Sequence, residues 1–277
     1  MTVSRPLLRS TLLATALALA ACNSGAPSGP GASAPAATAP APAPSEAGSP
    51  SASPAAASAS PALATGPASV AVDANRPPPP VGMPEGPAPV EGTDYTTLDT
   101  PEQPSGDKVS VVEVFGYGCP HCNTLAPFLA AWERKLPVDV DFSYLPAAFG
   151  PGPAHCWDEF ARGFYAAQAM GVPVSRSHEA VFKAVWEQNQ FTGDCAVIPK
   201  IYAQFGLDPK VFASTMQSFA IGAKIGNAHD QEMRWGVDGT PTIIVDGKYK
   251  VPAAVPATML HTVDWLIAKQ RPAHAKH

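Results

Sequence analysis

Cys119 and Cys122 bracket Pro120 and His121 at the point where an apolar strand pattern gives way to an amphipathic helical one. That junction constrains the fold more than any other stretch of the chain. Upstream, Val109-Ser110-Val111-Val112-Glu113-Val114-Phe115 is β-branched and apolar, as a core strand should be. Gly116-Tyr117-Gly118 breaks the strand, and Leu125, Phe128, Leu129 and Trp132 then recur at helical spacing. Cys119 is therefore predicted just before, or in, the first turn of a helix. Unpaired N–H groups and the positive end of the helix dipole favour a thiolate there, and a thiolate is the nucleophile of disulfide exchange. Pro120 suits the first turn, because its missing N–H has no partner to lose. His121, when charged, adds a cation beside Cys119. A zinc knuckle is the competing reading of these four residues. Such knuckles come with a second ligand pair, and no second C-x-x-C occurs in the chain.

The N-terminus reads as an export signal over residues 1–21. Arg5 and Arg9 precede a short apolar run from Leu12 to Ala20, too short for a permanent span. Leu19-Ala20-Ala21-Cys22 matches the lipobox of bacterial lipoprotein precursors, which implies lipidation of Cys22 and a membrane anchor. An ordinary signal peptide with an incidental cysteine is the alternative. Residues 22–92 are mostly Ala, Pro, Ser and Gly. Such composition buries too little apolar surface to offset ordering entropy, so a disordered tether is expected. The net charge of -5 is mild and offers no basis for a nucleic-acid partner.

Residues 93–272 amount to one domain of chain. A second strand is predicted over Val138–Leu145, followed by a helical insertion spanning about 152–235. In it, Trp157, Phe160 and Phe164 mark one stripe, and Val181, Phe182, Val185 and Trp186 another. Val211, Phe212, Met216 and Phe219 mark a third. All are expected in the core. Asp246-Gly247 between two apolar runs signals a two-residue hairpin. Met259, Leu260, Val263, Leu266 and Ile267 share one side of a final helix.

Phe115-x-Tyr117-x-Cys119-Pro120-His121-Cys122, the helical insertion and Gly239-Thr240-Pro241-Thr242 entering a hairpin together resemble the DsbA family of thiol–disulfide oxidoreductases. The resemblance implies an α/β protein, a thioredoxin fold with a helical domain between the second strand and the cis-proline hairpin. It implies oxidation of exported proteins with free thiols in the periplasm, and reoxidation by a DsbB-like, quinone-coupled membrane oxidase. By position, Cys119 is the surface nucleophile, Cys122 the buried resolving thiol, and Pro241 the cis-proline that presents the Thr240 backbone to an extended peptide. Glu113 falls where several members place an acid that moves the proton of the buried thiol. The chain departs from the pattern in three ways. Thr240 stands where many members have valine, no lysine is evident near Asp141–Tyr144, and Cys156 and Cys195 lie in the insertion. An exported compartment favours disulfides, so Cys156 and Cys195 are predicted to pair; two free buried thiols are the alternative. No motif calls for a cofactor. A reductase or isomerase on the same fold remains open, as does a metal-binding lipoprotein using Cys119, His121, Cys122 and His155-Cys156.

Overall fold

Val109–Phe115 forms a strand, and the sheet is laid out around it. The computed structural model describes residues 67–69, 75–103, 106–150 and 156–275. The signal-peptide expectation, Cys22 and most of the tether lie outside them. Among the described residues the strands are β1 (Ala68–Ser69), β2 (Thr96–Thr97), β3 (Val109–Phe115), β4 (Val140–Pro146), β5 (Thr242–Val245) and β6 (Tyr249–Val251). Their spatial order is β1-β4-β3-β5-β6-β2. β4 runs parallel to β3, with Glu113 opposite Tyr144, and β5 runs antiparallel on the other side, with Glu113 opposite Ile243. A parallel pair needs a crossover, and helix α1 (Pro120–Glu133) supplies it. The second strand starts two residues later than its pattern suggests, at Val140.

Helices α2 (Trp157–Ala169), α3 (Val174–Trp186), α4 (Ile198–Tyr202), α5 (Pro209–Met216) and α6 (Phe219–Arg234) follow β4, and α7 (Pro256–His274) ends the domain. Phe160, Phe164, Val181, Phe182, Val185, Phe212 and Met216 are buried as predicted. Phe128, Val211 and Phe219 are not, and Phe219 is 93% exposed. The reason is helical phase. Ile221, Ile225, Ala228 and Glu232 form the buried row of α6, and Phe219 sits off it, next to the Ser218 cap. Val211 likewise lies in the first turn of α5, off the side that buries Phe212 and Met216.

The hairpin turn is made by Asp246 and Gly247, both at positive φ (57° and 56°), with Lys248 N donating to Val245 O at 3.0 Å. That is the twist-matched two-residue turn.

The stretch expected to remain a tether through residue 92 takes up structure earlier. Ala68 and Ser69 pair antiparallel with Tyr144 and Ser143 on β4. Val138 N donates to Pro77 O at 3.0 Å and Arg76 Nη1 to Val140 O at 3.1 Å. His261 Nε2 lies 2.9 Å from Pro87 O. A proline-rich chain builds no core of its own, but its carbonyls still accept hydrogen bonds from a folded neighbour. Composition reports only the first property. Among the described residues, no helix is long and apolar enough to cross a membrane.

Candidate active site

The turn after β3 delivers Cys119 to the N-cap of α1. Cys119 N donates to Gly116 O at 3.0 Å, the residue stays extended (φ -88°, ψ 120°), and Pro120 opens the helix. Cys122 N then donates to Cys119 Sγ at 3.4 Å, so the sulfur occupies the place of a capping oxygen. Opposite, the Thr240–Pro241 peptide is cis, and Cys119 Sγ donates to Thr240 O at 3.3 Å. Two segments about 120 residues apart in sequence thus meet at one sulfur. The position that the resemblance makes the surface thiol is itself well covered. Cys119 is 5% exposed, against 0% for Cys122.

The two thiols are driven apart in acidity. The hydrogen bond from the Cys122 thiol leads in lowering Cys119 to about 5, against the opposing effect of burial. The Thr240 hydroxyl and the amides of Cys122 and His121 add to it. Cys122 moves the other way, first through burial, then through the shared hydrogen bond and the charges of Glu113 and Cys119. The His121 imidazole is exposed on α1, and the backbone amide of the same residue bonds the Cys119 sulfur and favours its thiolate.

Glu113 is buried in mid-strand, and its Oε2 has no hydrogen-bond partner. Burial pushes its carboxyl up to about 8, with the charges of Cys119 and Glu133 adding to the effect. Its cross-strand neighbour Tyr144 donates to Glu133 Oε2 at 2.9 Å. At neutral pH the arrangement holds a thiolate at Cys119 and protons at Cys122 and Glu113.

Sequence reasoning missed the packing behind the turn. It treated Gly116-Tyr117-Gly118 as a strand break and Trp157 and Trp186 as ordinary core. The structure places Trp186 Nε1 2.8 Å from Tyr117 O and the Tyr117 hydroxyl 3.3 Å from His178 Nδ1. Burial lowers His178 to about 3, so the ring is neutral. No periodicity in the sequence signals these contacts, since each joins residues at least 61 apart.

Cys156 and Cys195 are joined in a disulfide with a Cα–Cα distance of 5.6 Å. With Glu159 they form the one three-donor group found among the described residues. Two of its donors are spent on each other, and disulfide sulfurs are not the thiolates that bind zinc. His155 lies outside the described residues.

Thr240 offers Cys119 two opposed contacts. Its carbonyl accepts from the thiol, and its hydroxyl favours the thiolate. Thr240→Val removes only the second. The Cys119 midpoint is expected to rise by about one unit, read from the ultraviolet absorbance of the thiolate. An unchanged midpoint would assign the hydroxyl no part.

Comparison with known proteins places this geometry. The family described as DSBA-like thioredoxin domain matches residues 110–264. The thiol:disulfide interchange protein DsbA of Pseudomonas aeruginosa is 37% identical over 191 residues, which is 67% of this chain and 87% of that protein. The counterpart in Burkholderia cepacia is 31% identical over 65% of this chain and 85% of its own length. Among solved structures, P. aeruginosa DsbA aligns with a TM-score of 0.59 at 37% identity, covering 68% of this chain and 97% of that one. The oxidoreductase DsbA of Xylella fastidiosa aligns with a TM-score of 0.61 at 33% identity, covering 66% and 98%.

Proposed function

Because this chain belongs to the DSBA-like thioredoxin domain family, we propose that it is a periplasmic dithiol oxidase acting through Cys119 and Cys122 on exported proteins. The observation that carries this reading is the opposed acidity of two thiols three residues apart, one capping a helix and one beneath it.

In the oxidised enzyme a substrate thiolate attacks Cys119 Sγ. A mixed disulfide forms, the Cys119–Cys122 bond breaks, and Cys122 leaves with the electron pair. Cys122 is a poor anion in its buried site, and protonated Glu113 supplies the proton it needs. A second substrate thiolate then attacks the substrate sulfur of the mixed disulfide. The substrate leaves oxidised, and Cys119 departs as a stabilised thiolate. A good leaving group at Cys119 drives the exchange toward substrate oxidation. Pro241 and the Thr240 backbone form the edge against which an extended substrate segment lies. The dithiol is returned to the disulfide by a DsbB-like, quinone-coupled membrane oxidase. Lipidation at Cys22 holds the enzyme at the membrane, with the Ala/Pro/Ser-rich stretch as tether between anchor and domain.

Cys122→Ser is expected to accumulate substrates as mixed disulfides on Cys119, because the internal resolving thiol is gone. Cys119→Ser should trap almost none. The discriminating measurement is equilibration of the parent couple with glutathione. An oxidase is mostly reduced at a poise near about -200 mV, whereas a thioredoxin-like reductase stays oxidised there. A couple still oxidised at that poise would turn the assignment to the reductase reading.

A further inference from the structure

The helical insertion reaches back to the turn that presents Cys119, and it does so from both ends of its first helix pair. Trp157 is the first residue of α2. Its indole lies over Gly116 so closely that a methyl group there would stand 2.7 Å from Trp157 Cε3. Only glycine permits that approach. Phe149 packs edge-on to the same indole, with centroids 5.1 Å apart. Trp186 is the last residue of α3, and its Nε1 donates to Tyr117 O at 2.8 Å. Gly116 and Tyr117 are therefore held from one side by a ring and from another by a hydrogen bond. Gly116 O is also the acceptor for Cys119 N.

The Cys156–Cys195 disulfide joins the residue before Trp157 to a residue nine positions beyond Trp186. Cys156 is the N-cap of α2, next to Trp157, and enters the helix in the left-handed conformation (φ 47°) that non-glycine residues rarely adopt. Cys195 begins the short turn that follows α3 and its loop. The bond fixes the start of α2 to the segment leaving α3.

We propose that Trp157 and Trp186 are positioning residues for the active-site turn, and that the Cys156–Cys195 disulfide keeps them seated on it. The inference deepens the oxidase reading, since it rests on Cys119 being the reactive sulfur. The amides of His121 and Cys122 stabilise the Cys119 thiolate only while its sulfur stays over the helix N-terminus. A turn free to shift lets the sulfur move off those donors. The titratable side chain that acts on Cys119 is Cys122 on α1, while Glu113 on β3 is itself raised by the Cys119 charge; neither belongs to the insertion.

Trp186→Phe keeps an aromatic ring but removes the indole N–H that bonds Tyr117 O, together with the rest of the five-membered ring. It is expected to raise the Cys119 midpoint by about half a unit or more, and to shift the glutathione equilibrium about threefold toward the disulfide. The double variant Cys156→Ser/Cys195→Ser should move both readouts in the same direction and also melt lower by roughly 10 °C. Val109→Ala, a core change at the end of β3 away from the turn, supplies the comparison, because it lowers the melting temperature without touching Gly116, Tyr117 or either tryptophan. Should the first two variants lose stability but keep the parent's midpoint and equilibrium, the insertion is a staple only and the proposal is overturned. The proposal fails equally if Val109→Ala moves the midpoint as far as Trp186→Phe does. A parent protein whose Cys119 titrates like an ordinary cysteine would instead defeat the oxidase reading itself.

Discussion

At pH 5.5 the reduced protein will be alkylated at Cys119 by a small reagent about 40-fold faster than an ordinary cysteine, while Cys122 stays unmodified. With Cys119 at about 5 rather than 9.0, roughly 2,000 times more of it is thiolate at that pH. A less basic thiolate is also a weaker nucleophile, by roughly 60-fold over four units. The product of the two effects decides the rate. Toward pH 9 the order reverses, so the informative quantity is the pH midpoint. Stability follows from the same shift. A thiol lowered by folding adds stability that is present above its unfolded value of 9.0 and is lost as pH falls through about 5. The unscreened value is about 5 kcal/mol, and partial solvent access to the sulfur cuts it to roughly half. The oxidised protein has no such term. The gap in urea stability between reduced and oxidised protein should therefore widen steadily from pH 5 upward. A gap independent of pH would remove the acidic thiol from the account.

Glu113→Gln should gain about 3 kcal/mol over the parent between pH 4 and pH 7 in the reduced form. The sign is opposite to that of Cys119. A carboxyl raised by folding from 4.5 to about 8 is protonated in the native state while the unfolded chain has already lost the proton. Stability is thus whole below 4.5 and drains away as pH rises through 8, and glutamine abolishes the loss. In the parent the two effects oppose each other. Between pH 5 and pH 8 the folded domain has given up the Cys119 proton and kept the Glu113 proton, and the unfolded chain has done the reverse. The reduced parent should therefore lose stability with pH less steeply than the oxidised parent across that window, and the Glu113→Gln variant should gain it. Glutamine has no carboxyl proton to offer Cys122, so substrate oxidation should slow by about tenfold or more. Urea titrations at four pH values and a peptide-oxidation assay check both halves. A variant as fast as the parent would remove Glu113 from the proton path.

The strand into Phe115 and the helix from Pro120 were legible in the sequence, because a β-branched apolar run changes to a period near 3.6 across a glycine break. The Asp246-Gly247 turn was legible for an equally local reason, since few residues tolerate two successive positive φ values. The stripe residues Val211 and Phe219 were misjudged as core. Apolar character is visible in one dimension, but the phase of a helix against its neighbour is not. The behaviour of residues 75–92 was missed on similar grounds, because docking depends on the partner's free donors and not on the segment's own composition.

Local sequence alone determined that a cysteine would stand at a helix N-terminus with a second one a turn later, since strand pattern, glycine break and Pro120 leave little other choice. What acts on that cysteine was decided only in three dimensions. Thr240 reaches Cys119 because β5 pairs with β3. Glu113 becomes a raised acid because it lies between β4 and β5 in a sheet whose packing excludes water from it. Trp157 and Trp186 meet the turn because the insertion folds back onto it. Capping and periodicity act within a few residues, so the chain displays them directly. Desolvation and contacts between distant segments are properties of the packed molecule, and no stretch of sequence carries them by itself.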